Sequence, residues 1–148
     1  SSAIELVRGD FPPLEAKQFA TDVISWGGGE RFSGRFGTAN DPEVISSALR
    51  DATVLAKQGQ TPSAVTRVQK LKYLGQSFAS KMVRFLRPGD AVILDSVIRG
   101  SLGYPETEAG YAAFLADCRS ILDVVRTRLP YWRVCEVEAV IFAKLQGY

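Results

Sequence analysis

Apolar residues return every three or four positions along most of this chain, between breaks marked by proline and glycine. Tyr111, Phe114, Leu115, Cys118, Ile121, Leu122, Val125 and Leu129 form the longest such stripe, and Ile45, Ala48, Leu49, Ala52, Leu55 and Ala56 another. That period is the signature of amphipathic helices. One run, Ala91-Val92-Ile93-Leu94, could pass for a strand, but no second run elsewhere could pair with it. It is expected to be a buried extended approach to a helix. The chain therefore reads as all-α, a single compact helical domain over residues 1–148 with six to eight helices. A length of 148 residues suits one domain with a core of its own.

The breaks place the helices. Pro12-Pro13 opens a helix whose Ala16, Phe19, Ala20 and Val23 share a face, and Gly27-Gly28-Gly29 closes it. Residues 30–40 contain small residues and no apparent period, so a loop is expected there. Asp41-Pro42-Glu43 is a helix start, with Asp41 able to cap. Gly59 ends that helix and Thr61-Pro62 starts the next. After the turn Leu74-Gly75-Gln76-Ser77, the residues Phe78, Met82, Phe85 and Leu86 mark a helix that stops at Arg87-Pro88-Gly89-Asp90. Asp95 is placed to cap the following helix. Pro130 ends the long stripe, and Val134, Val137, Val140, Ile141 and Leu145 carry a last helix.

Composition narrows the chemistry. Histidine is absent, which removes Ser-His and Cys-His catalysis and histidine-ligated metals. Cys118 and Cys135 lie in apolar helical patterns and are expected to be buried free thiols, which suits a reducing cytoplasm. No apolar run approaches the ~20 residues that span a membrane, and the start shows no signal-peptide pattern. Net charge is only +2, but residues 57–89 carry Lys57, Arg67, Lys70, Lys72, Lys81, Arg84 and Arg87 and no acid. Such a segment is a candidate polyanion-binding face.

Two helices joined by a tight glycine-containing turn form a helix-hairpin-helix candidate. Gly75 would allow a positive φ and a close backbone approach. The N–H groups of Gln76 to Phe78, at a helix start, would then face a phosphate, flanked by Lys72, Lys81 and Arg84. Asp95 follows the apolar Val92–Leu94 and precedes Val97-Ile98. Held by a helix start and facing a cleft, it would stabilise a developing cation or orient a nucleophile. An ordinary N-cap would put the same residue there, contributing about 1 kcal/mol.

Several stretches resemble the helix-hairpin-helix superfamily of DNA glycosylases, and more narrowly the small bacterial proteins with an 8-oxoguanine DNA glycosylase fold. They are Ser25-Trp26-Gly27, Tyr73-Leu74-Gly75-Gln76-Ser77-Phe78-Ala79-Ser80-Lys81, Ala91 to Asp95, and Trp132-Arg133 leading to Glu136-Val137-Glu138. The resemblance implies binding of duplex DNA through the hairpin, flipping of a nucleotide and excision of a damaged or modified base. It implies no organic cofactor, and allows a monovalent cation on the hairpin carbonyls. A cytoplasmic, nucleoid-associated location follows from such a partner. Asp95 matches the aspartate that supports loss of the base. In bifunctional members a lysine of the hairpin helix attacks the sugar carbon and forms a Schiff base.

The chain departs from that pattern. Ser77 replaces the second hairpin glycine, and Ala79 stands where the lysine normally does. Lys81 is then a phosphate clamp in the strict register, or the nucleophile in a shifted one. Trp26 and Trp132 are candidates for the base pocket. Phe36, with Arg31, Phe32 and Arg35, would form a wedge entering the duplex. Two rival readings remain: a DNA-binding module of the same fold without chemistry, and a helical protein-interaction domain.

Overall fold

The computed structural model describes residues 2–147. It contains nine helices and no strand among the described residues: α1 (Ala3–Arg8), α2 (Pro13–Trp26), α3 (Glu30–Ala39), α4 (Pro42–Lys57), α5 (Thr61–Gln69), α6 (Gln76–Leu86), α7 (Ser96–Leu102), α8 (Glu108–Val125) and α9 (Val134–Leu145). None of these is long and apolar enough to cross a membrane. Helix α4 packs between α2 and α5, α5 carries α6 and α8, and α9 rests on α7 and α8. Ala16 and Ala20 of α2 and Ala48 and Ala52 of α4 are fully buried, and such small side chains let helix axes approach closely. Cys118 and Cys135 are buried free thiols.

Several boundaries follow the expected punctuation. Pro13 and Pro42 occupy first turns, and Gly28 (φ 86°) and Gly59 (φ 79°) take the left-handed conformation just beyond α2 and α4. Asp41 holds the N-cap position of α4, but its side chain makes no capping hydrogen bond.

Two helices were not expected. Residues 30–39 form α3, not a loop. Phe32 and Phe36 lie four apart and pack inward, and that contact outweighs the low helix propensity of Gly34 and Gly37. Helix α1 is a six-residue turn with only Leu6 buried, too short to show a period. The chain leaves it through Asp10 (φ 55°) and Phe11 (φ 56°), a strained pair for residues with side chains. Helix α4 clamps this turn: Ser46 donates to the Phe11 carbonyl at 2.6 Å, and Arg50 binds the Asp10 carboxylate and carbonyl.

The extended stretch 91–94 is buried, as expected, and side chains serve its backbone in place of a sheet. The Tyr111 hydroxyl donates to the Val92 carbonyl at 2.9 Å and accepts the Val92 N–H at 3.1 Å. Leu94 donates its N–H to Ser80 Oγ, and its carbonyl accepts from Arg99. Buried backbone groups must find such partners, so these side chains fix where the segment ends and Asp95 begins.

Candidate functional site

The turn between α5 and α6 is pinned from behind. Asn40, almost fully buried, donates to the Lys72 carbonyl at 3.0 Å and accepts the Lys72 N–H at 2.9 Å. The positive φ expected at Gly75 lies elsewhere. Gly75 has φ −87°, ordinary for any residue, while Tyr73 has φ 63°. Tyr73 is exposed, and the Arg35 guanidinium lies 5.6 Å from its ring centre. Gly75 is the N-cap of α6, whose start has no side-chain cap. Gln76 is buried: its amide donates to the Thr107 carbonyl at 2.8 Å, and its oxygen accepts from Arg99. Its side chain therefore ties α6 to the chain beyond α7 and leaves only its backbone N–H to face a ligand.

One step along α6, the side chains turn into a cavity of about 530 Å³. Its lining includes Trp26, Lys81, Arg84, Ile93, Asp95 and Glu138. Four expected site residues (Trp26, Lys81, Arg84 and Asp95) thus meet in one place, from α2, α6 and the N-cap of α7. Asp95 Oδ1 accepts the Ile98 N–H at 2.9 Å, which orients the carboxylate. Lys81 Nζ donates to Ser77 Oγ at 3.3 Å and sits 4.5 Å from the Phe78 ring centre. Burial pushes the Lys81 ammonium below its usual value, and the carboxylates of Asp95 and Glu138 counteract part of that. Gly27 makes room for this lysine. A Cβ there would lie 2.8 Å from Phe78 Cε1 and 3.2 Å from Lys81 Cδ. Trp26 is 63% exposed, so it stands at the mouth, edge-on to Phe85 with ring centres 5.0 Å apart.

Arg84 was expected beside a phosphate at the turn. It lies in the cavity instead, with its guanidinium 5.2 Å from the Phe85 ring centre. Its Nε is buried and has no hydrogen-bond partner among the described residues. Ala79, the strict-register lysine position, is fully buried, so a lysine there would point into the core.

Two expected pocket residues lie apart from this cavity. Phe36 is fully buried on the inner face of α3 and cannot serve as a wedge, because the segment is a helix with its rings turned inward. Trp132 lines a separate apolar hollow with Leu129 and Ile141, and its carbonyl accepts from Arg126.

Glu138 was not assigned a role from the sequence. It is 5% exposed, and its carboxyl accepts no hydrogen bond from any described residue. Burial pushes it up to about 7. The neighbouring Asp95 adds to that rise, while Arg84 and Lys81 oppose it. A signal was present in the sequence. Val134, Val137, Ile141 and Leu145 form the inward stripe of α9, and position 138 falls on that stripe. An acid on an apolar stripe, with no partner on its own helix, marks a carboxyl that is buried against other elements.

The cavity thus combines two carboxyl groups of contrasting surroundings, a desolvated amine, a guanidinium and aromatic walls. Its size falls in the range of small-molecule sites. Comparison of the chain with protein-family models, with curated proteins and with solved structures gives no match.

Proposed function

We propose that the protein is a DNA glycosylase-like enzyme that binds duplex DNA and excises a damaged or modified base by cleaving its N-glycosidic bond. The observation that carries this reading is the convergence of Asp95, Lys81 and Trp26 on one cavity from three separate elements. In this reading α5, the turn and α6 act as a helix-hairpin-helix. The uncapped N–H groups of Gln76 to Phe78 hold a phosphate, with Lys72 beside them. A flipped base enters past Trp26, and aromatic rings are the usual surface on which such bases stack.

The Asp95 carboxylate then faces the positive charge that develops on the sugar as the base leaves. A fixed anion in a partly dry site stabilises such charge strongly. Between the two roles open to Lys81, its place inside the cavity favours the nucleophile. Desolvation raises the fraction of free amine, the form that attacks the sugar carbon.

The test uses a panel of duplexes, each carrying one altered base. Base release is scored after heat and alkali, with borohydride trapping in parallel, for the native protein, Asp95→Asn and Lys81→Ala. Asparagine caps helices as well as aspartate, so Asp95→Asn removes the charge while keeping the start of α7. The expected result is release lost in Asp95→Asn and trapping lost in Lys81→Ala.

A binding module without chemistry is the second reading, and the exposed, unpaired Lys57, Lys70 and Lys72 favour it equally. It requires salt-sensitive DNA binding that survives Asp95→Asn, with every base left in place. A helical interaction domain requires no such binding.

A further inference from the structure

We propose that Glu138 is the general acid of this site, giving its proton to the departing base, and that the cavity serves uncharged bases. This rests on the glycosylase reading above. An uncharged base is a poor leaving group because it would depart as an anion. A base already carrying a positive charge, such as a ring-alkylated purine, leaves without help. A protonated carboxyl is needed only for the first kind.

The geometry supplies one. Glu138 projects from α9 into the cavity that holds Asp95 and Lys81, and no described residue donates a hydrogen bond to it. A buried carboxyl that accepts no hydrogen bond is favoured in the protonated form, and its O–H is then free to be donated. The groups facing it are Lys81 and Arg84 of α6, Asp95 at the start of α7, and Tyr111 and Cys118 of α8. Asp95 accepts a backbone N–H at a helix start and serves as the anion of the pair. Two carboxyl groups in one site, one held dry and one accepting a helix-start N–H, divide acid and anion roles in this way. Burial pushes the Glu138 carboxyl up to about 7, so a large share still carries the proton at neutral pH and can give it up.

The step balances. The Glu138 proton passes to a ring nitrogen or exocyclic oxygen of the base. The electron pair of the C1′–N bond leaves with the base, which departs uncharged. The cationic sugar faces the Asp95 carboxylate. Water or Lys81 Nζ adds to C1′, and the proton it sheds restores Glu138.

The experiment measures single-turnover base release between pH 5 and 9, on duplexes carrying oxidised or deaminated uncharged bases. Native protein, Glu138→Gln and Glu138→Asp are compared, with melting and DNA affinity recorded to show that each variant is folded. Native release is expected to fall about tenfold per pH unit above neutrality. Loss of the Lys81 proton would give the opposite slope. Glu138→Gln is expected to lose 100-fold or more at pH 6 and to lose the alkaline fall. Glu138→Asp, which keeps a carboxyl, is expected to be faster than Glu138→Gln. A folded Glu138→Gln with native rate or native pH slope overturns this assignment alone, as do equal rates for the two variants. A native protein that releases no base overturns the glycosylase reading and this assignment with it.

Discussion

At the scale of the residue, Glu138 and Asp95 differ in what folding does to them. A carboxyl that moves from 4.5 to about 7 on folding costs roughly 3 kcal/mol once both states are ionised. The sign follows from proton binding. Between those two values the folded chain holds a proton that the unfolded chain has lost, so stability falls as pH rises through that window. Glu138→Gln removes this linkage. Thermal melts at pH 5 and pH 8 are therefore expected to show the variant gaining on the native protein by roughly 2–3 kcal/mol over that interval. An equal response of both proteins to pH would place the ionisation of Glu138 at its ordinary value. Asp95 is read through its cap. Asp95→Ala is expected to cost about 1 kcal/mol and Asp95→Asn a few tenths, by chemical denaturation. The helix-start chemistry of Asp95 was readable because it needs only local sequence. For Glu138 the sequence offers only its place on the inward stripe of α9; the groups it meets, from α6 and the segment 91–95, are distant in the chain.

At the scale of the element, the turn between α5 and α6 keeps its shape through Asn40 more than through its glycine. Tyr73 takes the left-handed conformation, and such a residue persists only where its surroundings hold it. The two hydrogen bonds between Asn40 and Lys72, together with one from Asn40 to the Phe36 carbonyl, supply that hold. Asn40→Ala leaves the part-buried Lys72 N–H and carbonyl without their partner, at about 1–2 kcal/mol, and releases the turn. Faster amide exchange is expected at 70–75, with α8 unchanged; exchange that stays native would show that the turn is held by its own packing. Gly75→Ala, by contrast, is expected to cost well under 1 kcal/mol, since φ is ordinary there and the nearest foreign atom to an added Cβ is Glu106 Oε1 at 4.0 Å. A glycine in a turn invites the inference of positive φ. That inference is unsafe when the neighbour that bears the strain is fixed by a side chain 33 residues away. Helix α3 was missed for a related reason: its two glycines hid the four-residue spacing of Phe32 and Phe36, and burial of those rings decides the outcome.

At the scale of the whole molecule, the seven cations of residues 57–89 do not form one face. Arg67 pairs with Asp51 at 3.0 Å, and Arg87 with Asp90 at 2.6 Å. Lys81 and Arg84 line the cavity. Lys57, Lys70 and Lys72 remain exposed, without an ion pair among the described residues. The missing acids were visible in the sequence, but their effect was not, because Asp51 and Asp90 lie just outside the stretch and fold back onto it. This division makes the salt dependence of DNA binding informative. Each phosphate neutralised by a lysine contributes about 0.9 to the slope of log affinity against log salt on duplex DNA. If the turn is the docking point, Lys70→Ala with Lys72→Ala is expected to lower that slope by nearly 2. Arg87→Ala should leave it unchanged, because Arg87 is already neutralised by its own aspartate. Titrations of one duplex at several salt concentrations read both. A slope that responds to Arg87 and ignores the two lysines would move the docking surface from the turn to the far end of α6, beside Arg84 and Phe85 of the cavity lining.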